Sequence, residues 1–242
     1  MISIIIPVLN EEKNISSALE NIKRLDGKKE IIVVDGGSID NTINIIKSAG
    51  AHYNTPIQLL SSEKGRGCQM NRGAEIAKGE ILLFLHADTK LPDNAILEID
   101  KVMKAPESIG GRFDVRFDDN RFIFKLIAFL MNWRSSLTEI FTGDHAIFIR
   151  KSAFKELGGY SEIPLMEDIE LSKKMKRKGK VACINNCVIT SARKWKEEGI
   201  IKTILLMWLL RLLYFFKVSP IFLSKIYYKK RYKTISSFFF LN

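Results

Sequence analysis

Side chains able to do chemistry gather in a few short stretches of the 242-residue sequence, mostly where an apolar run stops. Val33-Val34-Asp35-Gly36-Gly37-Ser38 ends one run with a carboxylate, and its two glycines let a ligand approach the backbone closely. Leu85-His86-Ala87-Asp88-Thr89 ends another. In an extended strand His86 and Asp88 share a face and can address one metal ion or phosphate; the plain alternative is a turn. Asp35 has a plain alternative too, as an acid at a helix start. Met166-Glu167-Asp168 follows Pro164 and opens a predicted helix. Acids there suit the helix dipole, and a carboxylate in that place can also serve as general base near a metal-bound diphosphate. Arg66, Arg72 and the Gly65/Gly67 pair precede a helix, where they can meet phosphate or stack on a base. His145, after Gly143-Asp144, is a candidate for the same site, whereas His52 is expected to be exposed after a helix.

The elements that must position these residues alternate over the first hundred positions. Apolar runs at 2–7, 30–35, 57–61 and 80–86 read as strands, and helical spacing appears at 11–24, 40–48, 67–77 and after Pro92. Asp40 can cap the second helix. Short runs apolar on both faces and separated by helices predict an α/β fold with a mostly parallel sheet covered on both sides. Right-handed crossovers then gather the C-terminal strand ends along one edge, where open sheets bind ligands. The second half is mixed, with a strand over 112–117, an apolar helix over 122–133, a short strand over 146–149 and a helix over 167–177. The basic run 173–180 reads as a solvated helix end.

The net charge of +11 is unevenly spread. Residues 193–233 hold eleven basic and two acidic residues, +9 of the total, so the rest of the chain is nearly neutral. That split predicts a domain over 1–192 with a basic, apolar helical tail over 193–242, and argues against a protein that coats nucleic acid. The stretch 200–216 is marginal for a span and contains Lys202 and Arg211, so it is expected to lie in an anionic membrane interface, with burial against the body or a partner subunit as the alternative. Three cysteines are too few for a disulfide scaffold, and Cys183 and Cys187, around an expected Asn-Asn turn, lack a second pair for zinc. The opening run has no basic n-region and contains Pro7, so it reads as a buried strand and not a signal peptide. The expected location is the cytoplasm, at the inner membrane face.

Ser3-Ile4-Ile5-Ile6-Pro7-Val8-Leu9-Asn10-Glu11-Glu12, Val33 to Asp40, Gly65 to Ala74, His86-Ala87-Asp88 and Glu167-Asp168, in that order, closely resemble family-2 glycosyltransferases of the GT-A fold. The resemblance covers about residues 1–195. Leu85 to Thr89 and Pro164 to Asp168 are similar to the radical-SAM/selenodomain-associated transferase 2 subgroup. It implies an inverting, metal-dependent transfer of sugar from a UDP- or GDP-sugar to a hydroxyl acceptor, lipid-linked or amphiphilic. Pro7, Glu11, Asp35, Gly37, Arg66 and Asn71 would then border the nucleotide. Asp88 would hold Mn²⁺ or Mg²⁺ on the diphosphate, either alone or with His86. Asp168, beside Glu167, would deprotonate the acceptor. Arg193-Lys194-Trp195 only partly echoes the family's late Gln-x-x-Arg-Trp element, which argues against processive polymer synthesis; Arg193 and Trp195, together with His145, are expected on the acceptor side.

Two other readings compete. A nucleotidyltransferase would show a Gly-rich loop with a basic residue after the first strand, where Pro7-Val8-Leu9-Asn10-Glu11 stands instead. A non-catalytic protein docking its tail on membrane or nucleic acid is the other; nucleic acid would call for basic residues interleaved with exposed stacking aromatics along the body, which is nearly neutral, while the tail's aromatics sit in an apolar run.

Overall fold

A computed structural model describes residues 1–51 and 56–228. His52 and the basic cluster 229–233 of the tail lie outside the described residues. Two compact units are distinguished, one of residues 1–162 with 167–192 and one of residues 163–166 with 193 onward.

The first unit begins β1 (Ile2–Val8), α1 (Ile15–Arg24), β2 (Lys29–Asp35), α2 (Thr42–Ala51), β3 (Ile57–Ser61), α3 (Arg66–Ile76), β4 (Ile81–Phe84). It continues β5 (Thr89–Lys90), α4 (Ala95–Val102), β6 (Ser108–Phe117), α5 (Phe122–Thr138), a 3₁₀ turn (Gly143–His145), β7 (Phe148–Arg150), α6 (Lys151–Glu156), α7 (Glu167–Lys178) and β8 (Lys180–Thr190). One sheet runs in the order β3-β2-β1-β4-β7-β6-β8-β5. Pairing is parallel for β1–β2, β2–β3, β1–β4 and β6–β8, and antiparallel for β4–β7, β6–β7 and β5–β8. The sheet is therefore mixed: β7 and β5 run against the other strands. The reversal of β7 has a consequence for the site, because the turn before it arrives at the same edge as the C-terminal ends of β1, β2 and β4.

Alternation along the strands sorts the core into two layers. Ile4, Ile6 and Val8 pack with Ile15, Leu19 and Ile22 of α1 and with Ile96 and Ile99 of α4. Ile5, Val34 and Phe84 pack with Met70 and Ala74 of α3, Phe154 of α6 and Met175 of α7. α3 lies close on the sheet because residue 73 is glycine; a Cβ there would fall 2.5 Å from Ile5 Cγ2.

Three local expectations change. β4 stops at Phe84, and the Thr89 N–H donates to the His86 carbonyl at 3.1 Å, so His86 to Thr89 is a turn and not extended strand. Cys183 and Cys187 both lie in β8, opposite Arg112 and Asp114, and Asn185-Asn186 form a bulge between them where the register shifts. α5 extends past Trp133 to Thr138, ending at Glu139 with φ 56°. It leaves Phe122, Phe129, Trp133 and Leu137 more than half exposed.

The second unit contains α8 (Arg193–Glu198), α9 (Ile200–Phe215) and a helix over 220–228. Lys194 bonds to the Tyr227 hydroxyl and lies over its ring. Along α9, Ile201, Leu205, Trp208, Leu212 and Phe215 form an exposed apolar stripe at helical spacing. Among the described residues no helix is long and apolar enough to cross a membrane.

Candidate active site

At the C-terminal sheet edge the loops after β1 and β2 are laced together. Asn10, at φ 56°, accepts the Ile39 N–H at 2.9 Å, and its own N–H donates to Ser38 Oγ at 2.9 Å. Glu11 N–H donates to Thr42 Oγ1 at 2.8 Å, and Glu12 N–H to Asp40, which also caps α2 through the Thr42 N–H. The Asp35 carboxylate is buried and accepts the Gly37 and Ser38 N–H groups at 2.9 and 3.1 Å, fixing a loop whose Gly37 takes φ 93°. Gly37 has open space around it.

Pro7 marks where this edge opens. The Leu85 N–H donates to Ile5 O and the Gly36 N–H to Val8 O, so odd positions of β1 face β4. Pro7 therefore faces β4 after that strand has ended, and its missing N–H loses no rung of the ladder. The gap between β1 and β4 is the switch point of strand order, the usual ligand crevice of such sheets. Gln69, buried on α3, braces it by donating to Val8 O and Val34 O, both at 2.8 Å. Sequence reading missed Gln69, although a polar residue on the inward face of a helix was the available signal.

Arg66 starts α3, exposed at the crevice, and its charge acts on His86, Asp144 and Glu167. Gly67 lets this end of α3 sit against the Ser161 carbonyl, 2.7 Å from a Cβ position. Arg72 points elsewhere, to Glu75 at 2.7 Å. Asn71 spends both ends of its amide on the Tyr160 backbone, at 2.9 and 3.0 Å, so it anchors that segment.

The centre is organised by the turn at Gly143–His145. Asp168, at the start of α7, accepts the Gly143 N–H at 2.9 Å through Oδ2 and the Ile169 N–H at 2.7 Å through Oδ1. Its carboxylate is thereby oriented while staying partly exposed. Glu167 beside it is buried, and burial followed by the Asp168 charge holds its carboxyl above the usual range, against Arg66. Burial and the same two acids push the Tyr160 hydroxyl far up. His86 Nδ1 lies 3.4 Å from Asp144 Oδ1. Burial disfavours charge on His86, but the Asp144 hydrogen bond and the charges of Asp144 and Asp88 outweigh burial and Arg66, so its pKa rises. Asp144 moves the other way: burial would raise it, but His86, Arg66 and His145 hold it well below the carboxylate range. A Cβ at Gly143 would lie 2.4 Å from His86 Nε2, so that glycine lets the imidazole lie flush under the turn. His145 is fully buried, with Nδ1 3.1 Å from Thr142 Oγ1, and supports the turn from below.

The expected His86–Asp88 pair is not assembled as a metal shell: His86 is turned to Asp144 and Gly143. Among the described residues no group of three His, Cys, Asp or Glu side chains is placed to hold an ion. Asp88 is partly exposed and, among the described residues, its one hydrogen-bond contact is from Thr89 Oγ1 at 3.4 Å, so its carboxylate could hold a divalent cation. Asp88 also borders a cavity of about 420 Å³ with Lys90, Arg116, Asp118, Ile189 and Thr190 in its wall. Arg193 and Trp195 lie on α8, in the second unit.

A family model described as glycosyl transferase family 2 matches residues 3–158. The chain is similar to an undecaprenyl-phosphate 4-deoxy-4-formamido-L-arabinose transferase of Pseudomonas fluorescens, 31% identical over 101 residues, 39% of this chain and 30% of that protein. It is similar to a PGL/p-HBAD biosynthesis glycosyltransferase of Mycobacterium bovis, 38% identical over 93 residues, 38% of this chain and 36% of that one. These alignments take in about a third of each relative's own length. Among solved structures, the mannosyltransferase PcManGT of Pyrobaculum calidifontis, in complex with GDP-Man and Mn²⁺, matches with TM-score 0.66 at 21% identity, over 78% of this chain and 56% of that one. S. aureus TarS 1–349 with UDP-GlcNAc matches with TM-score 0.63 at 19% identity, over 78% and 58%. At such identities these structures establish the shared GT-A fold. The family model spans well over half of the residues, and the chain belongs to glycosyl transferase family 2.

Proposed function

We propose that the protein is an inverting glycosyltransferase that moves a sugar from a UDP- or GDP-sugar to the hydroxyl of a lipid-linked or amphiphilic acceptor. The observation that carries this reading is the Asp168 carboxylate, partly exposed at the ligand edge and fixed by the Gly143 N–H. A general base has to be oriented and accessible, and Asp168 is both. The nucleotide is assigned to the crevice by Pro7, Glu11, Asp35 and Gly37, with Arg66 at its rim. A divalent cation held by Asp88 would neutralise charge gathering on the leaving diphosphate. Asp168 takes the acceptor proton as the acceptor oxygen attacks the anomeric carbon opposite the leaving group, and the configuration inverts. Burial and the Asp168 charge both work against ionisation of the neighbouring Glu167.

The acceptor class draws support from the relative named for undecaprenyl phosphate and from the apolar stripe of α9, flanked by Lys202, Arg211 and Lys217. Such a helix suits an anionic bilayer interface at the cytoplasmic face. Arg193 and Trp195 are proposed for the acceptor side.

The test is Asp168→Asn. Transfer should fall by about 10²–10⁴-fold, while thermal-shift titration with UDP-GlcNAc and GDP-mannose, with and without Mn²⁺, should show donor binding like that of the wild type. Undiminished turnover would sink the base assignment, and no shift with any donor would sink the transferase reading.

A further inference from the structure

We propose that the cavity beside Asp88 is an acceptor subsite that takes a phosphomonoester carried by the acceptor next to its attacking hydroxyl, with Lys90 and Arg116 as its cationic clamp. This rests on the transferase reading above. The sheet lays out a division of labour: the nucleotide crevice is assigned to the β3-β2-β1 end, Asp168 and the 143–145 turn stand at the middle, and the cavity lies at the β6-β8-β5 end. A transferase must hold its second substrate across the reacting centre from the first. Asp88 is common to the centre and the cavity wall, so a head group bound there adjoins the donor diphosphate.

The chemistry of the wall selects the ligand. Ile189 of β8 is in register with Lys90 of β5 on one side and Arg116 of β6 on the other. Residues paired across neighbouring strands project from the same face, so the ammonium and the guanidinium flank one isoleucine. Among the described residues neither cation has an ion pair or hydrogen bond, whereas Arg112 and Arg121 are matched to Asp114 and Asp119. Asp118, in the same wall, is already engaged by the Ala192 N–H at 2.7 Å and Ser191 Oγ at 3.4 Å. With the Asp88 charge met by the divalent cation assigned to it, the two available cations, one a planar fork and one a point charge, match a phosphate dianion. Phe117 and Ile189 supply apolar wall for the first carbons behind it.

Calorimetric titration of the full chain with geranyl phosphate, geraniol and inorganic phosphate tests this, with UDP and GDP titrated in parallel. Both cations are exposed, so Lys90→Gln and Arg116→Gln should keep the wild-type melting temperature. Geranyl phosphate should bind the wild type, about tenfold more weakly each single variant and ~100-fold more weakly the double variant, with nucleotide affinity unchanged and geraniol not bound. Equal binding of geranyl phosphate to wild type and double variant, or no binding to either, overturns the subsite alone. Inorganic phosphate binding as tightly as geranyl phosphate would make it a free-anion site and overturn the acceptor assignment. Failure of the wild type to bind UDP or GDP overturns the transferase reading, and the acceptor role with it.

Discussion

His86 and Asp144 show how one contact sets several properties at the residue scale. The pair raises the pKa of the imidazole, lowers that of the carboxylate and pins the turn whose Gly143 N–H orients Asp168. Gly143→Ala would drive a methyl group into the His86 ring, and the turn has to shift to relieve it. A base displaced on the ångström scale loses about 100-fold in rate, so transfer by Gly143→Ala should fall by that order, with stability lowered by about 1–3 kcal/mol and donor binding little changed. Asp144→Asn keeps the shape and removes the charge. The His86 pKa should then drop, read directly by an NMR titration of its ring protons, because burial and Arg66 are left with less opposition. An unchanged His86 titration in Asp144→Asn would show that the pair does not govern the ring.

At the scale of elements, four segments meet on one carboxylate at the sheet edge opposite the site. Glu30 of β2 accepts Ser3 Oγ of β1 at 2.5 Å, Gln58 Nε2 of β3 at 3.0 Å, and the Lys78 and Gly79 N–H groups leading into β4 at 2.5 and 3.1 Å. Burial opposes its charge, but these donors together outweigh burial and hold its pKa below the usual 4.5. Glu30→Gln turns an amide N–H toward groups that need an acceptor and should cost about 2–3 kcal/mol of stability. The sign of the pH effect follows from the lowered pKa: the contribution is complete above about pH 4.5 and is lost as pH falls through the folded-state value. Melting curves of wild type and variant should therefore converge on acidification and stay apart at neutral pH. A gap that persists at low pH would remove ionisation from the explanation.

At the scale of the whole molecule, the charge split and the two apolar helix surfaces concern location. α9 exposes Leu205, Trp208 and Leu212, and α5 separately exposes Phe129 and Trp133. Burying one such side chain in an interface gains roughly 1.5–3 kcal/mol, and each nearby Lys or Arg adds about 1 kcal/mol at an anionic surface. The full chain should float with phosphatidylglycerol liposomes, less so in high salt, and Leu205→Ser with Trp208→Ser and Leu212→Ser should abolish flotation. Salt-insensitive flotation of that triple variant would remove α9 from the attachment.

The sequence by itself determined what is encoded locally. Apolar period, Pro7, the glycines at 36 and 37 and the capping acid Asp40 are neighbour-to-neighbour properties, and they placed the first strands and helices and their ligand edge. The ordered motifs also placed Asp35 at the end of β2 and Asp168 at the start of α7, whereas Asp88 falls in the turn between β4 and β5. β8 was not legible, because its bulge breaks the alternation that marks a strand. The antiparallel insertion of β7 was not legible either, since strand order depends on which surfaces meet. Tertiary structure alone decided that His86 answers to Asp144, that Gly143 orients Asp168, that Gln69 braces the crevice, and that Lys90 and Arg116 flank one isoleucine. Each of these is a contact between side chains or backbone groups far apart in the chain, and no local pattern fixes the distance between them.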